Sequence, residues 1–356
     1  MIGMSRRNFM NYGAAACAAL PAMAGASAPP RPSSMVRGVK LGVQTYSYHD
    51  VPLDGADHTD VLIDHMRRNG LYSCELFGFQ IEPSIFSGTF PPADLCAKPE
   101  IGCLPGKGGS DRNPFAWHFQ TKTGDAFFKA LEKAKAFRLS RPTKYYESIR
   151  RRFDDAGMEI YSFNPLIDSF QGPAAAQMSD EEIDAVFYAA KVLGVKAINT
   201  SLRMSMLKRV VPFAEKHRLP FGVHGHSMTF DPDEFSTRDT YVKAFALSPW
   251  VWANLDIGHY VASGEDPLEF IETFHGRITN LHVKDRKRNS SKNKEDGATV
   301  PWGTGNAPIG QVLRLLRDKR YDIPAFIEIE HMGTTTAVGE VRIAYDFCKR
   351  ELEKKA

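Results

Sequence analysis

The sequence predicts an α/β protein, a (β/α)8 TIM barrel with an insertion after its second strand. Three observations predict it. Short apolar runs alternate with helical patterns almost to the C-terminus, eight such units can be counted, and polar residues gather at the ends of the later strands.

The N-terminus reads as an address. Residues 5–10 are SRRNFM, an Ala-rich apolar run extends from Tyr12 to about Ala24, and Ala26-Ser27-Ala28 precedes Pro29-Pro30. A basic start, a short apolar middle and an A-x-A end make a signal peptide over residues 1–28, of twin-arginine type. The expected partner is therefore the twin-arginine export machinery, and the expected location the periplasm or the exterior. The run is short for a bilayer span, and the mature chain is expected to have none. Residues 29–37 are Pro/Ser-rich and read as a linker, and residues 38–356 as the barrel.

Strands are expected at Val39–Ser47, Ser73–Phe77, Met158–Asn164, Lys196–Ser201, Pro220–His224, Val251–Asp256, Ile278–Lys284 and Ala325–Glu330. Each is a short apolar run between turn residues, as a fully buried parallel strand should be. Helices are expected at Asp57–Asn69, Thr143–Asp155, Pro267–Phe274, Ile309–Lys319 and Val338–Glu353, with weaker patterns at Met204–His217 and Arg238–Leu247. Ser179-Asp-Glu-Glu182 is a capping-box start for a helix running to Leu193 before Gly194. The stretch 84–142 breaks the rhythm: Gly/Pro-rich, then aromatic, then helical over Asp125–Phe137. An insertion after the second strand is expected at the catalytic mouth, as a lid or as decoration of the rim.

Composition bounds the function. The 356 residues are 43% hydrophobic and 24% charged, with a formal net charge of +3, an ordinary globular balance that does not argue for a nucleic-acid partner. Five cysteines include Cys17 in the leader and show no CxxC spacing; Cys96 and Cys103 share one loop-like stretch, as a disulfide or as free thiols.

Chemistry is expected where the strands end. The fifth ends FGVHGHS, with His224 and His226 on one face. The sixth ends NLDIGH, giving Asp256 and then His259. The seventh, NLHVKD, puts His282 and Lys284 on one face, and the eighth, FIEIEH, does the same with Glu328 and Glu330. Inward charges on a barrel strand are costly unless paired or metal-bound. A His, an Asp, a His and a Glu from four consecutive strands converge on one axis, which suggests a metal site. Two imidazoles and two carboxylates suit one divalent ion such as Mn, Zn or Co better than Mg. His226 and His259 are candidate acid/base groups, since imidazole titrates near neutrality. Lys284 either stabilises oxyanion charge or forms a salt bridge within the rim, with Asp285 as one partner. Glu330 and Glu75 (from CELFGF) are candidate substrate contacts, and Trp302 and Trp117 candidate stacking faces for a sugar.

These motifs resemble the xylose isomerase-like barrel superfamily of sugar phosphate isomerases and epimerases. LDIGHYVASGEDP, LHVKD, PWGTGNAPI and FIEIE follow one another in the order of that family. The resemblance implies that Asp256, His282 and Glu328 are three of four metal ligands. The fourth is usually a Glu; here His224 stands in its place, similar to an exported branch linked to 3-keto glycosides. It also implies proton abstraction next to a carbonyl through a metal-bound enediolate, with Glu328 or Glu330 as ligand or base and their relative roles open. The outcome is epimerisation, isomerisation or loss of a β-substituent, so the expected substrate is a small sugar or keto-glycoside. Rival readings are a lyase or hydrolase of 3-keto-glycosides and a non-catalytic carbohydrate-binding protein. A DNA-repair nuclease of the same superfamily would need further His and Asp ligands where this chain has PWGTGNA. An oligomer is compatible with all of these.

Overall fold

The computed structural model describes residues 33–83, 86–87, 120–121, 124–165, 178–289, 298–331 and 333–355. Within them the chain runs β1 (Val39–Gln44), α1 (Thr59–Asn69), β2 (Ser73–Phe77), α2 (Gly124–Leu139), α3 (Thr143–Asp155), β3 (Glu159–Asn164), α4 (Asp180–Leu193), β4 (Ala197–Ser201), α5 (Met204–His217), β5 (Phe221–His224), α6 (Arg238–Phe245), β6 (Val251–Asp256), α7 (Ile257–Ala262), α8 (Pro267–Phe274), β7 (Ile278–Val283), α9 (Ile309–Lys319), β8 (Ala325–Ile327) and α10 (Ala337–Glu353). The eight strands pair in parallel with their sequence neighbours. β8 returns to β1, with Ile327 opposite Val43, so the sheet closes into a TIM barrel.

Strand parity divides the two cores. Leu41, Val43, Cys74, Leu76, Ile198, Phe221, Val223, Leu255, Leu281, Val283 and Ile327 join the apolar layer between barrel and helices. The alternate residues carry much of the polar character: Gln44, Glu75, Ser162, Asn199, His224, Asn254, Asp256, Asn280 and His282 are all buried. Side chains alternate across a strand, and parallel βα units cover the outer face with helices, so polar groups in these strands belong to the barrel interior.

Several boundaries differ from expectation. The first strand ends at Gln44, and Thr45–Ser47 form a 3-10 turn. β7 stops at Val283 and β8 at Ile327, so Lys284, Glu328 and Glu330 stand just past the ladder. The linker over 29–37 is corrected at its end. Met35–Val36 pairs antiparallel with Val39–Lys40, because Arg37 (φ 50°) and Gly38 (φ 86°) make the left-handed turn that suits a tight hairpin.

Of the expected lid, Phe86–Ser87 pairs with Gln120–Thr121, and α2 packs beside α4 in the outer helix layer. Arg138 of α2 meets buried Glu82 at 3.4 Å, and Tyr146 donates to Glu82 at 2.9 Å. Residues 88–119, with Cys96, Cys103 and Trp117, and the expected leader lie outside the described residues. Among the described residues no helix is long and apolar enough to cross a membrane.

Candidate metal centre and active site

The C-terminal rim of β5–β8 brings four side chains together. His224, Asp256, His282 and Glu328 are buried, and each offers a ligand atom within 4.8 Å of the others'. Each is the last inward residue of its strand or the first beyond it, which is why four separate stretches of sequence converge.

Partners behind the histidines aim their lone pairs. His224 Nδ1 lies 3.0 Å from Asn254 Oδ1, while the Asn254 amide donates to Asn280 O at 3.1 Å. That bond fixes Asn254 Oδ1 as acceptor and His224 Nδ1 as donor, and leaves Nε2 as the ligating atom. In His282 the roles reverse. Nε2 lies 3.0 Å from Glu75 Oε1 and Nδ1 lies 3.2 Å from Glu328 Oε2; burial opposes a charge on this ring, but Glu328 and Glu75 raise it well above the ordinary histidine range. A ligating imidazole held through its other nitrogen is the usual arrangement at metal sites.

Lys284 sits among the acids. Its Nζ lies 2.8 Å from Asp256 Oδ2, 3.0 Å from Glu328 Oε2 and 2.5 Å from Glu330 Oε2. Burial would push this ammonium down, but Asp256, Glu328 and Glu330 raise it above the ordinary lysine range, so it stays charged. Burial pushes Asp256 up to about 6 despite Lys284. Burial also opposes ionisation of Glu328, yet His282 and Lys284 hold it well below the usual carboxylate range. The donor set of two imidazoles and two carboxylates fits a divalent ion.

A second group of imidazoles borders the first. His226 and His259 come within 4.8 Å of His224 through their ring nitrogens. Buried Glu234 accepts the His226 backbone N–H at 3.3 Å and stands 3.7 Å from its Nδ1. His259 touches the Arg286 guanidinium and lies 3.8 Å from Glu330 Oε2. Burial, Lys284 and Arg286 together hold His259 well below the ordinary histidine range, which favours the neutral imidazole.

Three expectations change. Glu75 is fully buried below the mouth, where it accepts from His282 and from side chains of β3, β4 and β7, and so has no contact left for a sugar. Trp302, expected as a stacking face for a sugar, packs nearly perpendicular to Phe347 of α10 with 5.8 Å between centroids, against the apolar layer. Asp285 does not pair with Lys284. Its carboxylate accepts from Gly303, Gly305 and Ala307 and holds the PWGTGNA loop.

The sequence reading missed Tyr46 and Arg286. Burial and the charges of Glu330 and Glu328 push the Tyr46 hydroxyl well above its usual range, and its ring packs 5.4 Å from Phe77. Tyr46 stands two residues past β1 on the inward parity, one step above the level of the candidate ligands, and that parity was its signal.

The model of the xylose isomerase-like TIM barrel family matches residues 122–350. The chain belongs to that family. The curated relative it matches is an inosose dehydratase of Clostridium perfringens (strain 13 / Type A), 31% identical over 91 residues, 22% of this chain and 31% of the relative. The chain thus matches about a third of that relative's length. Among solved structures, the apo form of 3-keto-D-glucoside 4-epimerase YcjR from E. coli is similar at TM-score 0.53 and 11% identity, over 88% of this chain and 99% of the other. The zinc-bound IOLI protein is similar at TM-score 0.52 and 12% identity, over 89% and 98%. At such identities the likeness concerns the fold. Isomerase, epimerase and dehydratase names therefore occur around a family of enzymes that share this barrel.

Proposed function

We propose that this protein is a metal-dependent enzyme of isomerase or epimerase type that moves a proton at the carbon next to the carbonyl of a small sugar or keto-glycoside. The observation that carries it is the convergence of His224, Asp256, His282 and Glu328 within 4.8 Å. A bound divalent ion, with Zn, Mn or Co suited to the mixed donors, supplies Lewis-acid polarisation of the carbonyl. In this reading His259, beside Arg286, would take the proton, and His226, braced by Glu234, would return one. Lys284 offsets charge that develops on oxygen while holding Asp256, Glu328 and Glu330 in place.

A second reading, carbon–oxygen lyase, is favoured by one feature. With His224 at strand 5, that side of the site presents imidazoles rather than a carboxylate, so a symmetric two-carboxylate proton relay lacks one member. Elimination needs one base and one acid for the leaving oxygen, and His259 and His226 satisfy that. NMR in D2O of the metal-loaded protein with 3-keto-glucosides and with free ketoses tests both readings. Deuterium entering next to the carbonyl is expected, with an epimer or isomer supporting the first reading and loss of the substituent the second. Metal-loaded protein that exchanges nothing and forms no product would sink both.

The export route is proposed on residues 1–28. Arg6→Lys with Arg7→Lys should trap the chain in the cytoplasm of a twin-arginine-competent host, and unchanged fractionation would refute it.

A further inference from the structure

We infer that Glu75 is a positioning residue for His282: by accepting the Nε2 proton it holds the imidazole in the tautomer whose Nδ1 is free to ligate, and so sets how tightly a divalent ion is held. The inference rests on the metal reading above.

Glu75 lies across the barrel from its partner, 207 positions away in the chain. Oε1 accepts from His282 Nε2 at 3.0 Å and Asn164 Nδ2 at 3.2 Å. Oε2 accepts from Ser162 Oγ at 3.0 Å, Asn199 Nδ2 at 2.6 Å and Asn280 Nδ2 at 3.2 Å. An ionised carboxylate is a pure acceptor with about four lone-pair directions. Five donors therefore saturate it, and no lone pair is left for a substrate.

A charge at this depth is costly, and an apolar side chain would fill the barrel without that cost. The site thus contains a feature that packing alone does not require. Its distinguishing contact is His282, the one ionisable donor among the five. The other ligating imidazole, His224, is held by the neutral amide of Asn254. Carboxylate–imidazole–metal chains raise the basicity of the ligand, and outer partners of this kind are worth about 10- to 100-fold in metal affinity.

Glu75→Gln keeps the shape and removes the pure acceptor. With its NH2 at the Oε2 position, the amide meets three donors. With its NH2 at the Oε1 position, it donates to His282 Nε2 and drives the ring proton onto Nδ1, the atom needed for the metal. The second arrangement offends fewer neighbours, so the tautomer should switch.

The test measures Zn and Mn dissociation constants of wild type and E75Q by competition with a chromophoric chelator, and the ring tautomer of His282 by nitrogen NMR. The expected result is affinity weaker by about 10- to 100-fold with the ring proton on Nδ1. E75Q that melts earlier yet binds metal as wild type does would make Glu75 mere barrel filling and overturn the inference. Should E75Q not fold, Glu75→Asp keeps the charge but withdraws it by one methylene; weaker binding supports the inference, and unchanged binding overturns it. Wild type that binds no divalent ion would instead remove the proposed function itself.

Discussion

His282 is the ligand whose loss should be most visible. It touches Glu75 on one side and Glu328 on the other, and its removal leaves both carboxylates buried without their shared partner. His282→Ala should abolish turnover and weaken metal binding by more than the ~10- to 100-fold typical of an outer partner, measured by metal analysis of the purified protein. His49, behind the rim, gives a separate prediction. Burial drives its pKa down to about 3, against about 6.5 for a free histidine. Between those values the unfolded chain binds a proton that the folded one refuses, so its contribution to stability falls as pH drops from about 6.5 toward 3. The slope is at most about 1.4 kcal/mol per pH unit. Urea titrations at neutral and mildly acidic pH should therefore show His49→Gln losing less stability on acidification than wild type; parallel losses would refute it. At this scale the sequence was informative about which residues end strands, because parity is local. It was silent on Glu75, because a buried Glu looks the same in sequence whether it meets a sugar or a histidine.

Element boundaries were legible where capping chemistry is local. Ser179 accepts from Glu182 N while the Glu182 side chain accepts from Ser179 N, the reciprocal pair expected of S-D-E-E. Ser179→Ala should cost about 1 kcal/mol in chemical denaturation. The inserted helix α2 depends on a tertiary contact instead. Arg138 is the cation beside Glu82 among the described residues, and burial already pushes that carboxyl up. Arg138→Ala should destabilise by roughly 3 kcal/mol, because it strands a buried charge. The strand 5 rim makes a third case. A Cβ on Gly225 would come within 1.7 Å of Phe235 O, so the return loop packs directly on the backbone between His224 and His226. Gly225→Ala should displace His226 and lower kcat; an alanine variant of wild-type activity would show that His226 placement is not critical. None of this was readable from VHGHS, since the loop that crosses it arrives about ten residues later.

The four proposed ligands occupy consecutive strands, so an ion held there would tie half the barrel together. Metal should raise stability by mass action, by about 2.7 kcal/mol at a free concentration one hundred times Kd. Thermal melts with Zn or Mn against chelator check this, and coincident curves would count against a metal site. The sequence by itself determined the alternation of strands and helices, the faces of the strands and the residues at their ends, because period, parity and caps are set by neighbours a few positions apart. The tertiary structure decided the rest. Closure of β8 on β1 brought Glu75 across to His282. That outcome depends on which strands face each other across the barrel axis, and no local pattern carries the identity of a partner two hundred residues away.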